Sequence, residues 1–482
     1  MMHKADKVYS VHVAIGLVLM FGVGFLPPFS VVTPIGMQLI GIFLGLIYLW
    51  STCGILWPSL LGLIAVALSD YTDINGVIAA AFGNPTIIVL IFILALLGAI
   101  DTFQVNQYLS QWFLSRKIIE GRPWIFTLMW FGATYVLGMF GNAIFSIFLM
   151  WGIFYKLADL IDLKKEEPYT KQLLVGTVLT GAISSVVFPF KDMGLFLIST
   201  YQKMSPGFQI STTGFIIVSL VVGWASILLY TATMRFIFRT DVSKLRQVST
   251  QMFQDEALPP MNKLQKFLLI YMFVFIGALC LPSFLPAGWA LTGKLNELGM
   301  CGIALAFFVF LCILRIDGKS LVNFSDLAGS KITWDLIFLM AAATCVSGAM
   351  VGEGTGVREF LSASLGPIFT NASPFVFAAL LCGVTLLLTN VANNGVVAIL
   401  AITVVLIFST QYAINAAAMV TLLCFTCNMA FLLPASSVFG AILHGNTQWL
   451  TPKDIYRYAI CIVLICLVVT IVLGIPLANW LC

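Results

Sequence analysis

Asn142 and Asn394 each interrupt a long apolar run, 122–159 and 372–408, and each has glycine beside it. Gly141 precedes the first, while Asn390 and Asn393 precede the second and Gly395 follows it. Polar groups inside a hydrocarbon-length segment are costly unless partnered, which makes them functional candidates by default. Two readings rest on the same physics. Asn is a good helix N-cap, so each asparagine could simply cap the helix it opens. Alternatively, two helix N-termini facing one cavity present unpaired N–H groups and positive dipole ends to a carboxylate. The Asn amides would then donate to that carboxylate, with their carbonyl oxygens turned to a cation.

A second pair of interruptions contains proline. Pro189 is followed by Lys191 and Asp192 within Phe188-Pro189-Phe190-Lys191-Asp192-Met193, and Pro434 is followed by Ser436 and Ser437. Proline lacks an amide donor and leaves a carbonyl open nearby, so each site reads as a discontinuous helix. Lys191 is a fixed positive charge that receives an anion, with Asp192 orienting it, or one member of an internal Lys–Asp pair, or a side chain snorkelling to the interface from a shallower segment. Ser436 and Ser437 are candidate substrate contacts in the other half. Gly141, Pro189, Asp192, Asn390, Gly395 and Pro434 are candidates for opening a helix or holding a cation.

Composition says what must position these groups. Apolar residues make up 60% of the 482 positions and charged residues 9%, and the mean hydropathy is +1.04. A water-soluble domain carries about a quarter charged residues, so this chain cannot cover a soluble surface. Continuous apolar runs such as Val11 to Leu26 and Phe215 to Tyr230 fit membrane helices rather than the alternating strands of a barrel. The first of them reads as a retained span, because no clear small-residue cleavage site follows it.

Other function classes find little support. No basic block with interleaved aromatics points to nucleic acid. The 11 cysteines are dispersed without a CxxC pair, and His3, His12 and His444 are too separated for a ligand cluster. Neither HExxH nor a phosphate-binding loop ending in Gly-Lys-Ser/Thr occurs, so ATP-driven transport and membrane-bound catalysis lack their residues.

The interruptions come in matched pairs. The offset that aligns Val105-Asn106-Gln107-Tyr108-Leu109-Ser110 with Val357-Arg358-Glu359-Phe360-Leu361-Ser362 carries Asn142 onto Asn394. Each asparagine is followed by a segment with an internal proline, and matched breaks in two halves are a sequence pointer to a transporter binding site. The expected architecture is an all-α polytopic membrane protein of about eleven transmembrane helices, with two re-entrant hairpins in two inverted-topology repeats. Residues 1–250 would form the N-terminal half and 251–482 the inverted C-terminal half. Each would hold scaffold helices, then a hairpin and a broken helix. With a cytoplasmic N-terminus, all of the 24 Lys and Arg except Lys191, Lys203, Lys294 and Arg358 fall on the cytoplasmic side or its border. That orientation places Cys482 outside.

These features resemble the divalent anion:sodium symporter family, carriers of succinate, citrate and related di- and tricarboxylates within a broader ion-transporter group. The resemblance covers essentially the whole chain by architecture, and short motifs carry it. The family's Ser-Asn-Thr hairpin motif matches Gly141-Asn142-Ala143 and Asn393-Asn394-Gly395, with both central asparagines present and the flanking hydroxyls replaced. The later proline-containing stretches match Val187 to Asp192 and Leu433 to Gly440, largely without the usual Thr-Pro-Pro-Asn character. The resemblance implies eleven spans, two re-entrant hairpins, inverted repeats and a homodimer in which a transport domain moves against a scaffold. The departures fit a divergent member with altered substrate or coupling.

The expected function is therefore secondary transport of organic anions, di- or tricarboxylates such as succinate or citrate, by alternating access in the cell membrane. No cofactor is expected, with Na+ or H+ as the coupling ion. An inorganic anion carrier, a sodium/proton exchanger and an ion channel are the alternatives, since fold alone does not fix the substrate.

Overall fold

The computed structural model describes residues 4–482 apart from 84, 104, 106–107, 109–111, 114–115, 206, 250–251, 253–260, 284, 286–288, 317, 333, 351, 361–362, 365–372, 392–393, 410–413 and 435. The N-terminal part runs α1 (Lys4–Leu17), α2 (Pro34–Thr52), α3 (Leu56–Leu68), α4 (Ile74–Phe82) and α5 (Pro85–Thr102). A helical hairpin follows, α6 (Pro123–Phe140) and α7 (Ala143–Leu160). Next come a broken pair, α8 (Pro168–Ser185) and α9 (Asp192–Met204), and the long α10 (Thr212–Ala232).

The C-terminal part repeats the order. After α11 (Lys263–Cys280), α12 (Ala290–Ile313), α13 (Phe324–Ser330) and α14 (Trp334–Met350) comes a second hairpin, α15 (Pro374–Thr389) and α16 (Asn394–Ser409). It leads to a second broken pair, α17 (Ala416–Asn428) and α18 (Val438–Gly445), then α19 (Pro452–Val469) and α20 (Ile475–Leu481). Among the described residues the only strands are Arg315–Ile316 and Lys319–Ser320, a minimal antiparallel pair.

Local chemistry starts these helices in the same way in both parts. Thr33, Ser373 and Thr451 accept from backbone amides at N-termini that carry Pro at the first helical position. Asn262 and Thr451 each close a full capping box, with Gln265 and Asp454 respectively. Such satisfied ends matter in lipid, where no water completes an open amide.

The exterior is apolar, with Phe25, Leu68, Leu160, Ile237 and Val391 among the large exposed side chains. A surface of this kind belongs against acyl chains, and the chain is a multi-pass helical membrane protein. Seven helices among the described residues are long and apolar enough to cross a bilayer, or eight if the bent pair Ile74–Phe82 and Ile87–Ala99 is one span. The sequence led to about eleven, counting runs by hydropathy. The difference comes from short apolar helices such as Leu56–Leu68, Pro374–Thr389 and Ala416–Asn428. Both arms of the first hairpin have 18 residues, about 27 Å of helix each.

The two sequence halves interlock. α12 packs on α5 and α14 on α3, so helices from both halves build one layer. At the centre lie α8 and α17, buried along almost their whole lengths. α8 is rich in hydroxyls, and the core binds them. Trp130 donates to Thr177 at 3.1 Å, and Thr127 and Tyr169 share a 2.8 Å hydrogen bond. Lys171 pairs with Asp454 at 2.9 Å, tying the start of α8 to the start of α19. Outside the spans, Lys244 donates to Glu167 at 2.7 Å, which holds its amine protonated above the usual lysine range.

Candidate substrate site

The four interruptions coincide with helix ends. α6 stops at Phe140 and α7 resumes at Ala143, while α15 stops at Thr389 and α16 resumes at Asn394. The broken pairs open between Ser185 and Asp192 and between Asn428 and Val438. Each opening exposes backbone groups that need partners, and a small set of side chains supplies them.

At the first hairpin tip, Asn142 caps α7. Its Oδ1 accepts from Ile144 N at 2.9 Å and Phe145 N at 3.1 Å, and the residue is exposed. Its Nδ2 has no partner among the described residues, so the amide can cap with one end and donate to a ligand with the other. Gly141 is non-helical and buried.

Lys191 reaches the same tip from the first break. Its side chain is buried, and Nζ donates to the carbonyls of Gly138 at 2.6 Å, Gly141 at 2.5 Å and Met139 at 3.4 Å. An ammonium has three protons, and these three carbonyls take them. Lys191 thus hydrogen-bonds the C-terminal carbonyls of α6, while Asp192 interacts with it through charge. Cations are favoured there by the helix dipole. Gly138 also allows the close approach of α6 to α8, since a Cβ at this position would meet Ser184 Oγ at 2.0 Å. Phe140 packs against Phe188, and Phe188 stacks on Phe190, so aromatic rings flank the opening around buried Pro189.

Asp192 opens α9 with φ +44°, a left-handed backbone that is uncommon for a residue other than glycine. The residue is half-buried, and its carboxylate, without a hydrogen-bond partner among the described residues, interacts electrostatically with Lys191. Strain of this kind persists only where surrounding structure enforces it and is enriched at ligand sites.

The second half is joined differently. Asn390, nearly fully buried, donates to Leu386 O and Met429 O, both at 2.8 Å, and its Oδ1 accepts from Phe431 N at 2.9 Å and Leu432 N at 3.0 Å. Thr389 adds a bond to Cys427 O at 2.7 Å. Asn394 offers its backbone N–H to Ser436 O at 3.3 Å, and its side chain is half-buried. Asn393 lies outside the described residues. Gly395 is buried in the first turn of α16.

Both serines turn to nearby backbone. Ser436 Oγ donates to Leu433 O at 2.7 Å and is buried. Ser437 caps α18, accepting from Gly440 N at 3.1 Å while donating to Ala430 O at 2.5 Å. Pro434 is exposed in the turn between them and α17.

One joint was not read from the sequence. Asn428, at the end of α17, donates through Nδ2 to Ala182 O at 2.7 Å and to Ser185 Oγ at 2.8 Å, both at the end of α8. The two broken helices are therefore bonded at the points where each opens. The signal was an asparagine in the middle of the apolar run 412–446, six residues before Pro434. His444 supplies a further contact, with Nε2 3.0 Å from Leu432 O.

Paired openings in apolar helices, joined where Asn428 bonds Ala182 and Ser185, are the kind of arrangement transporter binding sites use. Among the described residues no group of three or more His, Cys, Asp or Glu could hold a metal. Residues 46–427 match the family model described as "Citrate transporter". The chain belongs to that family, whose matched region includes both hairpin tips and Lys191, and it is a secondary transporter of citrate-type organic anions. A comparison with curated proteins gives no match. Among solved structures the fold is similar to the Alcanivorax borkumensis YdaH transporter, whose crystal structure is described as revealing an unusual topology. Identity is 13%, covering 84% of this chain and 87% of that one, with a TM-score of 0.52. The resemblance to divalent anion:sodium symporters is thus kept at the broader level of carriers related to citrate and dicarboxylate transporters.

Proposed function

We propose that the protein carries di- and tricarboxylates, citrate among them, by alternating access, with substrate received where the two hairpin tips meet the two breaks. The observation that carries this reading is the Asn428 bond to Ala182 and Ser185, which brings the two openings together in one place. The free end of the Asn142 amide and the side chain of Asn394 would receive carboxylates, aided by the N-terminal dipoles of α7 and α16. Ser436 and Ser437 would act through the backbone they hold, and Lys191 through its charge as well.

The repeated order of hairpin, broken pair and long helix supports two inverted repeats with halves 1–250 and 251–482. Within this reading both hairpins re-enter the membrane, about eleven segments span it, the N-terminus is cytoplasmic and the C-terminus extracytoplasmic. Two copies would form a dimer around the interlocked scaffold helices. Coupling would depend less on sodium than on protons or on exchange of one anion for another, because Lys191 already places a cation at the first tip. A fixed charge offsets the anion's own charge but is not consumed in the cycle, so it supplies no driving force.

Uptake into proteoliposomes of labelled citrate, succinate, sulfate and phosphate, each with and without sodium and a pH gradient, tests the reading. Saturable uptake of the organic anions is expected. Uptake of sulfate or phosphate alone would move the assignment to inorganic anions. Sodium-driven proton release without any anion uptake would make the protein an exchanger.

A further inference from the structure

Where α10 ends and α19 begins, the basic side chains fall into two groups. Lys171 pairs with Asp454, and Lys244 pairs with Glu167. Arg235, Arg239 and Arg457 are exposed and pair with no carboxylate among the described residues. The nearest acid in the chain to Arg239, Asp241, accepts from Ser243 N at 2.9 Å.

Aromatic rings hold two of these guanidinium groups. Arg235 lies over Phe236 and Trp124, 5.1 Å and 6.0 Å from their centroids. Arg457 lies over Phe238 and Tyr458, 5.6 Å from each. Phe238 meets Tyr458 edge-on at 5.4 Å, and in the chain it stands between Arg235 and Arg239. The three arginines therefore share one rim of the molecule.

The end of α10 departs from regular helix in two ways. It runs into a widened turn, Thr233–Ile237, with Phe238 N bonded to Thr233 O at 3.0 Å. Such turns are frequent at functional sites. Arg239 then adopts φ +48°, the left-handed conformation that closes a helix and is usually given to glycine. An arginine held there against that preference points to a use for its side chain. Beside it, Phe236 is 66% and Ile237 73% exposed, as side chains facing lipid are. The arginine fork suits a phosphate, and the exposed apolar pair suits an acyl chain. Here the two adjoin.

We propose that Arg235, Arg239 and Arg457 form the headgroup site of an anionic phospholipid whose acyl chains lie along Phe236 and Ile237. Two of the arginines follow α10 and the third belongs to α19, so the bound lipid staples one half of the chain to the other. Thr240, next to Arg239, donates to Gln172 Oε1 of α8 at 2.7 Å and so links the staple to the first broken pair. The site needs no transported anion and stands apart from the transport reading.

The test follows thermal unfolding of the full-length protein in detergent, with phosphatidylglycerol or phosphatidylcholine added as mixed micelles. Lys7→Gln, on α1, removes one exposed charge elsewhere and serves as the control. Phosphatidylglycerol is expected to raise the melting temperature saturably in the unmodified chain and in Lys7→Gln, and phosphatidylcholine in neither. Arg235→Gln and Arg457→Gln should each need roughly fivefold more phosphatidylglycerol for the same rise, the worth of one basic side chain at an anionic headgroup. Arg239→Gly is the sharper variant, because glycine suits the left-handed turn. It should melt no lower than the unmodified chain without lipid, yet lose the same share of the phosphatidylglycerol response. Equal responses to the two lipids, arginine variants that match Lys7→Gln, or an equal rise with inorganic phosphate alone would overturn the site. Failure of all three arginine variants to fold would overturn it as well, by making the arginines structural.

Discussion

In the first half the opened backbone is closed by a charge that reaches from the break to the hairpin, Lys191 onto Gly138, Met139 and Gly141. In the second half it is closed by a neutral amide that reaches from the hairpin to the break, Asn390 onto Met429, Phe431 and Leu432. An amide both donates and accepts, so Asn390 satisfies carbonyls and N–H groups at once and leaves no net charge. An ammonium only donates. Lys191 satisfies its carbonyls and leaves a positive charge beside the tip that Asn142 caps. The two clamps thus differ in kind, a charged donor with the Asp192 carboxylate beside it at the first break and a neutral amide at the second.

Breaking the neutral clamp should have the largest effect on stability. Asn390→Leu leaves Met429 O and two N–H groups buried without their partner, at about 1–3 kcal/mol for each group left unsatisfied. A loss of at least about 3 kcal/mol, or failure to recover folded protein, is expected in detergent unfolding. Unchanged unfolding would remove Asn390 from the architecture of the second break.

The charged clamp comes next, and its effect should fall on transport. Lys191→Met is expected to lower citrate uptake by at least about a hundredfold, since a buried charge set against an anion is worth several kcal/mol. Lys191→Arg keeps the charge but not the point-like fit and should retain part of the activity. Equal uptake by Lys191→Met and the unmodified protein would reduce Lys191 to a helix cap.

Asn142 allows a finer cut between capping and binding. Asn142→Ala removes a cap worth about 1 kcal/mol, whereas Asn142→Ser restores an accepting oxygen without the amide donor. If the amide receives substrate, the Ser variant should regain stability but not uptake, with KM raised. Full recovery of uptake by serine would assign the residue to capping alone. Ser436→Ala should matter least, changing stability by less than about 1 kcal/mol, because its hydroxyl only returns to Leu433 O.

The interruptions were legible because they are local. Gly141, Asn142, Pro189, Asn390 and Pro434 lie between helices and Gly395 in the first turn of one, so the helix ends fall beside them. What each group bonds was not legible. Lys191 finds its carbonyls 50 to 53 residues away, and Asn428 reaches Ala182 across the two halves. Such pairings are set by how helices pack, and hydropathy carries no record of them. For the same reason the sequence offered Lys191 its neighbour Asp192, a substrate or the membrane interface, and not the carbonyls of the hairpin tip. The number of spans was less legible still, because hydropathy does not distinguish a short apolar helix buried in protein from one facing lipid.

The most direct test of a carrier that brings its own cation is the initial rate of citrate uptake by the unmodified protein against sodium concentration. Choline replaces sodium at fixed pH and membrane potential. A rate that stays nearly flat from choline to full sodium is expected, whereas a steep, saturable dependence on sodium would contradict the account.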